Sequence, residues 1–120
     1  MGSPDNSVVA VSGDGSAAWS MQSLWTAARY QLPVTFLITN NATYRQVKLV
    51  RKLVLGDYPL DEKHDGMELE GPVLDFCMLA RSMGVHGVAV RKPEDLSPTL
   101  KSAMDSSEPN LIEVFVENRA

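Results

Sequence analysis

Residues 8–43 read VVAVSGDGSAAWSMQSLWTAARYQLPVTFLITNNAT, and their reading decides the fold. The order is strand, glycine turn, helix, strand, polar turn. Gly13-Asp14-Gly15-Ser16 closes the first strand and opens the helix. Asn40-Asn41-Ala42-Thr43 closes the second strand. In a parallel sheet both turns fall at the carboxyl edge, where open α/β sheets bind ligands.

Glycines at 13 and 15 let the backbone turn sharply and approach a ligand closely. The helix that follows offers free N–H groups and the positive end of its dipole, a ready site for phosphate. Ser16 is placed to cap that helix or to donate to a phosphate oxygen. Asp14 is the informative residue, because a carboxylate aimed at a diphosphate repels it. A hard cation between them removes the conflict, and Mg²⁺ binds through one or two protein oxygens plus substrate phosphates. Asn41 can add an amide oxygen, and the backbone carbonyl of Thr43 can complete the protein share. The residue chemistry thus suggests a metal-diphosphate site made by Asp14, Asn41 and the Gly15-Ser16 amides.

Two other readings stand beside it. In the plainer one, GDGS is only a strand-to-helix turn and Asn40-Asn41 only a polar loop. In the other, Gly13-x-Gly15-x-x-Ala18 is a dinucleotide fingerprint with Ala in third place. That fingerprint expects an acid about 20 positions on for the ribose. Asn40 and Asn41 stand there instead, and no acid occurs from Trp19 through Gly56. The dinucleotide reading ranks below the metal site.

GDGS followed, after a helix and a strand, by NN resembles the signature of thiamine-diphosphate-dependent enzymes. The stretch from Val8 to about Val47 most resembles benzoylformate decarboxylase and the acetolactate-synthase-like 2-oxo acid decarboxylases and carboligases. A looser likeness continues to Glu117. The resemblance implies Mg²⁺ bound by Asp14, Asn41 and the carbonyl of Thr43. It implies thiamine diphosphate held at Gly13, Gly15, Ser16 and Tyr44, with Val47 near the start of a substrate pocket. Where the family often has Gly after the second Asn, this chain has Ala42, which bears a steric cost if φ there is positive. The resemblance also implies an aminopyrimidine-binding domain, with the glutamate that activates the cofactor, which this chain lacks. It implies further chain upstream of Val8 as well. The expectation is most of one domain out of three, lacking its N-terminal part, and catalytically inactive alone. No residue here reads as an activating base. A partner chain carrying the missing domain, or a homo-oligomer, is implied. A non-catalytic module acting by self-association is the alternative, since a missing upstream strand would leave sheet edges and apolar surface open.

The 120 residues suit a single domain, residues 6–120, with 1–5 read as a tag. A net charge of −4 gives no general affinity for nucleic acid. One cysteine, Cys77, allows no internal disulfide, and no apolar run approaches the roughly 18 residues of a membrane span. The cytoplasm is the default compartment.

Alternating strands and helices predict a three-layer α/β fold, a mostly parallel sheet with helices on both faces. Val8–Val11 reads as a strand buried on both faces. Residues 17–30 read as a helix with Ala17, Met21, Leu24, Trp25 and Ala28 inward and Trp19 off that stripe. Residues 34–39 read as the second strand. Residues 43–55 read as a helix with Val47, Val50 and Val54 on one face and a solvated basic patch of Arg45, Lys48, Arg51 and Lys52. Residues 56–71 form an acidic loop; its faint likeness to a calcium loop fails on Lys63 and Pro72, and His64 reads as plain surface. Pro72 opens a helix with Val73, Phe76, Cys77, Ala80 and Met83 inward, capped by Gly84. Residues 85–90 form a third strand, with His86 packing or bonding locally at its start. Residues 93–104 form a helix with Leu96, Leu100 and Met104 inward, its start delayed to Ser97 if Pro98 interferes. Residues 111–116 form the last strand, and 118–120 a tail.

Overall fold

The computed structural model describes residues 6–56, 59–60 and 62–117. The tag reading of residues 1–5 and the tail at 118–120 lie outside the described residues. Four strands alternate with helices: β1 (Val8–Gly13), α1 (Asp14–Ala17), α2 (Gln22–Arg29), β2 (Val34–Asn40), α3 (Arg45–Leu55), α4 (Phe76–Ser82), β3 (His86–Val90), α5 (Pro93–Asp105) and β4 (Asn110–Phe115). All pairings are parallel, in the order β1-β2-β4-β3. This is the α/β class expected, with helices on both faces. On one face α1, α2 and α4 close a core over Ile38 and Leu111, with Ala17, Leu24, Phe76, Cys77, Ala80 and Val85. On the other α5 packs Ala103, with Leu96 and Leu100, against Val90 and Ile112.

The register puts Gly13 opposite Thr39 and Asn40 opposite Phe115. The turns after β1 and β2 therefore share one edge of the sheet. They do so because both connections are crossovers, which keep successive strands parallel.

Several local expectations are corrected. β1 is a sheet edge, and its valines are not buried on both faces: Val8, Val9 and Val11 are exposed, Val11 at 69%. An apolar run fits an edge strand as well as a central one, and strand order is not written in composition. The single helix expected at 17–30 is two pieces, and α1 begins at Asp14, inside the glycine turn. Trp25 faces solvent beside Arg29, while Ala27 is buried in its stead. Trp19 is exposed, as its place off the stripe suggests. α4 starts at Phe76, not Pro72, because the Asp75 carboxylate accepts from the Met78 N–H and caps it there; Val73 is exposed. Gly84 does end that helix, at φ +81°. α5 starts at Pro93 with no cap from Ser97, since Pro suits the first helical turn, and Met104 is partly exposed.

The largest correction concerns α3. Val47, Leu49, Val50, Leu53, Val54 and Leu55 are exposed, Leu53 at 85%. The one buried residue of α3 is Lys48, from the supposedly solvated basic patch.

Candidate functional site

The site is built on two turns that lock onto each other. Asp14 is 4% exposed. Its Oδ1 accepts from the Gly15 N–H at 2.8 Å, and its Oδ2 accepts from the Asn41 N–H at 3.0 Å, so one carboxylate ties the first turn to the second. No lysine or arginine among the described residues pairs with Asp14. A buried carboxylate with only N–H neighbours keeps its negative charge locally uncompensated, which costs free energy unless a cation arrives.

Asn40 and Asn41 divide the work. The Asn40 side chain turns inward: its Nδ2 donates to Glu113 Oε1 at 2.6 Å, and its Oδ1 accepts from the Ala42 N–H at 3.0 Å. Asn41 Oδ1 accepts from the Thr43 N–H at 3.2 Å. Between them Ala42 sits at φ +56°, the left-handed conformation in which alanine is strained and glycine is not. Thr43 is buried, and its carbonyl accepts from the Arg45 N–H at 2.9 Å. Carboxylate, amide and carbonyl oxygens each have more than one lone pair, so these bonds leave acceptor capacity on all three. The donor set is all oxygen, which suits a hard cation such as Mg²⁺.

Gly15 is required by packing. A Cβ there would run into the Tyr44 ring. The ring thereby covers the first turn, and the Gly15 amide is already engaged by Asp14. Ser16 is exposed and its hydroxyl caps nothing in α1. A cleft of about 390 Å³ is lined by Gly13, Asp14, Gly15, Ser16, Asn41, Thr43 and Tyr44, with Thr39, Arg45, Gln46 and Val47. Every residue singled out for metal or cofactor from the sequence lines this one cleft.

Residues that sequence reasoning missed stand behind it. Glu113, 3% exposed on β4, holds Asn40; a lone acid inside the apolar run of a strand was the available signal. Buried Lys48 and partly exposed Glu68 form an ion pair, with Nζ 2.6 Å from Oε1. Nothing local marks that pair, since twenty residues of chain separate its members.

Asp75, Cys77 and Glu113 also bring three possible metal-binding atoms within 4.8 Å of one another. Asp75 caps α4 and Glu113 accepts from Asn40. The Cys77 thiol is pushed up to about 11, by burial first and then by the Glu113 charge, so the metal-binding thiolate is disfavoured.

The parallel α/β sheet brings the glycine turn, the buried aspartate and the oxygen-rich second turn to its carboxyl edge, where sheets of this class bind ligands. The chain is more narrowly placed by comparison. It belongs to the thiamine pyrophosphate enzyme family, matching its C-terminal TPP binding domain over residues 1–114. Benzoylformate decarboxylase of Pseudomonas aeruginosa is 36% identical over 111 residues, 92% of this chain and 20% of that protein. The acetolactate synthase large subunit of Parasynechococcus marenigrum is 37% identical over 113 residues, 94% of this chain and 18% of that protein. Among solved structures, a thiamine diphosphate-dependent 4-hydroxybenzoylformate decarboxylase from Rhodococcus jostii RHA1 superposes with a TM-score of 0.84 at 37% identity, covering 96% of this chain and 20% of that one. The chain thus spans about a fifth of the length of these relatives. No helix among the described residues is long and apolar enough to cross a membrane.

Proposed function

We propose that this chain binds thiamine diphosphate through one Mg²⁺, as the diphosphate-holding part of a larger 2-oxo acid decarboxylase or carboligase resembling benzoylformate decarboxylase. The observation that carries the reading is the buried Asp14 carboxylate, without a cationic partner, facing the same cleft as Asn41 and Thr43. Asp14, the Asn41 amide oxygen and the Thr43 carbonyl would hold the metal. Gly13, Gly15, Ser16 and Tyr44 would border the diphosphate, Gly15 by leaving room and Ser16 by offering its hydroxyl and amide.

When bound, the cofactor supplies the electron sink for loss of carbon dioxide from a 2-oxo acid; protein supplies position and electrostatics. Asp14, where the two turns meet, would supply negative charge to hold the metal. Asn40 and Glu113 hold the second turn from behind, so the ligand oxygens need little reorganisation on binding. Among the described residues lining the cleft we assign no general base for activating the cofactor. We take the isolated chain to be catalytically silent, with activity waiting on an aminopyrimidine-binding domain in a longer protein or a partner chain. The expected setting is cytoplasmic.

Calorimetry tests the reading. Thiamine diphosphate should bind in the presence of Mg²⁺ and fail to bind in excess chelator. Binding that is indifferent to metal, or no binding at all, rejects it.

A second reading, association without catalysis, is favoured by the exposed valines of β1 and the exposed apolar face of α3. Sedimentation of the chain across a concentration series tests it. A monomer at every concentration rejects it.

A further inference from the structure

We infer that residues 62–70, the later part of the acidic loop, form a strap that shapes the metal-binding turn, and that Lys48 and Glu68 are positioning residues which fasten it. The inference deepens the cofactor reading and rests on it for the identity of the site. It concerns residues that touch neither metal nor cofactor.

Residues 67–69 lie along the turn at 42–44 like a short added strand. Thr43 and Glu68 form an isolated antiparallel bridge. The Tyr44 N–H and the Thr43 hydroxyl both donate to the Met67 carbonyl, each at 2.9 Å, and the Leu69 N–H donates to the Ala42 carbonyl at 2.8 Å. These bonds engage the Ala42 carbonyl and the two residues after it, immediately following the strained φ of Ala42. Without the strap, a buried hydroxyl and two backbone groups of the turn would lose their partners, and Ala42 could relax out of its left-handed conformation.

The fastening comes from α3. Lys48 is 1% exposed, although it lies on a helix whose apolar side chains face outward. Its ammonium reaches Glu68 Oε1 at 2.6 Å and donates to the Glu62 carbonyl at 3.0 Å. Glu68 Oε1 also accepts from the His64 N–H at 3.0 Å. One buried cation therefore gathers two points of the loop and sets Glu68 against Thr43. Burying an ammonium is unfavourable unless it is paired and hydrogen-bonded. Here that pairing can be had only with the strap docked, so docking and turn geometry are linked. Linkage is reciprocal: whatever stabilises the turn stabilises the strap.

Hydrogen exchange read by mass spectrometry tests this on the 120-residue chain without any ligand. In Lys48→Met, amides of residues 42–47 and 62–70 should exchange at least tenfold faster, while Asn110–Phe115 of β4 keeps its protection. A purely structural loss would raise exchange across β2 and β4 in parallel, and that result overturns the inference. So does unchanged exchange at 42–47. Glu68→Gln, on the partly exposed loop, serves if Lys48→Met does not fold, and should show the same local pattern more weakly. The double variant Lys48→Met with Glu68→Met removes both charges and should recover part of the protection; no recovery counts against the pair as the fastening.

A calorimetric arm then separates the two ideas. Where the parent chain binds thiamine diphosphate with Mg²⁺, Lys48→Met should weaken that binding at least tenfold, and equal affinity overturns the positioning role. A parent chain that binds no cofactor refutes the cofactor reading, while the exchange result still decides whether the strap shapes the turn.

Discussion

The turn at residues 40–44 and the helix that follows it, α3, are neighbours in the chain and opposites in how they meet their surroundings. The turn is polar and closed. Asn40, Thr43 and the partners Asp14 and Glu113 are buried, and each has a hydrogen bond. The helix is apolar and open, with Leu53 and Val54 facing out and its one buried side chain a lysine. In a self-sufficient domain the burials would be reversed. The difference teaches that the polar groups of the turn find their partners among the described residues, whereas α3 and β1 present surface suited to cover by something else.

Truncating one buried leucine of the sheet and one exposed leucine of the helix gives the largest expected effect. Leu111→Ala opens a void in the main core and should cost about 2–5 kcal/mol. Leu53→Ala should stay within about 0.5 kcal/mol, as surface changes do. Equal losses in urea melts would erase the contrast between buried sheet and open helix.

Next comes the support behind the turn. Glu113→Ala leaves the buried Asn40 amide without its acceptor and should cost about 1–3 kcal/mol. The same melts check it. A neutral result would mean that Asn40 finds another partner and that β4 does not brace the turn.

A smaller effect of opposite sign is expected at Ala42. Glycine relieves the left-handed strain of about 1–2 kcal/mol but adds freedom to the unfolded chain. Ala42→Gly should therefore stabilise by roughly 1 kcal/mol or less, seen as a slightly higher Tm. A fall in Tm would show that alanine is preferred there for a packing reason.

The smallest effect is in the acid response. Burial alone would raise the Glu68 carboxyl, but hydrogen bonds from Lys48 and the His64 N–H, with the Lys48 charge, outweigh it and hold the group below the usual glutamate range. Its folded pKa is thus below its unfolded one. The stability it contributes is full above the ordinary value of about 4.3 and is lost as pH falls through the lower folded value. Glu68→Gln should flatten the acid limb of Tm against pH. An unchanged acid limb would mean the pair is solvated in solution.

The contrast also explains what was legible in the sequence. The cleft residues were readable because short motifs carry them: a carboxylate beside a glycine turn poses a charge problem that only a few chemistries solve, and strand parity brings the second turn to the same edge. Sheet class was readable from alternation. The facing of α3 was not, because Val50 and Val54 have the spacing of a buried stripe whether the cover comes from this chain or from another. Lys48 was invisible too, since its partner Glu68 lies far along the chain, inside the acidic loop. Trp25 followed the helical period and still faces solvent, because the break after Ala17 re-phases α2 relative to α1. β1 was misjudged because edge or centre is a property of strand order.

The most direct measurement is a calorimetric titration of thiamine diphosphate into the parent chain and into Asp14→Ala, each with Mg²⁺ and with chelator. The account expects binding by the parent chain with Mg²⁺ alone, and a loss of at least about a hundredfold, near 2.7 kcal/mol, when Asp14 is removed. Retained affinity in Asp14→Ala, or equal binding with and without metal, would contradict the claim that a cation bridges this carboxylate and a diphosphate.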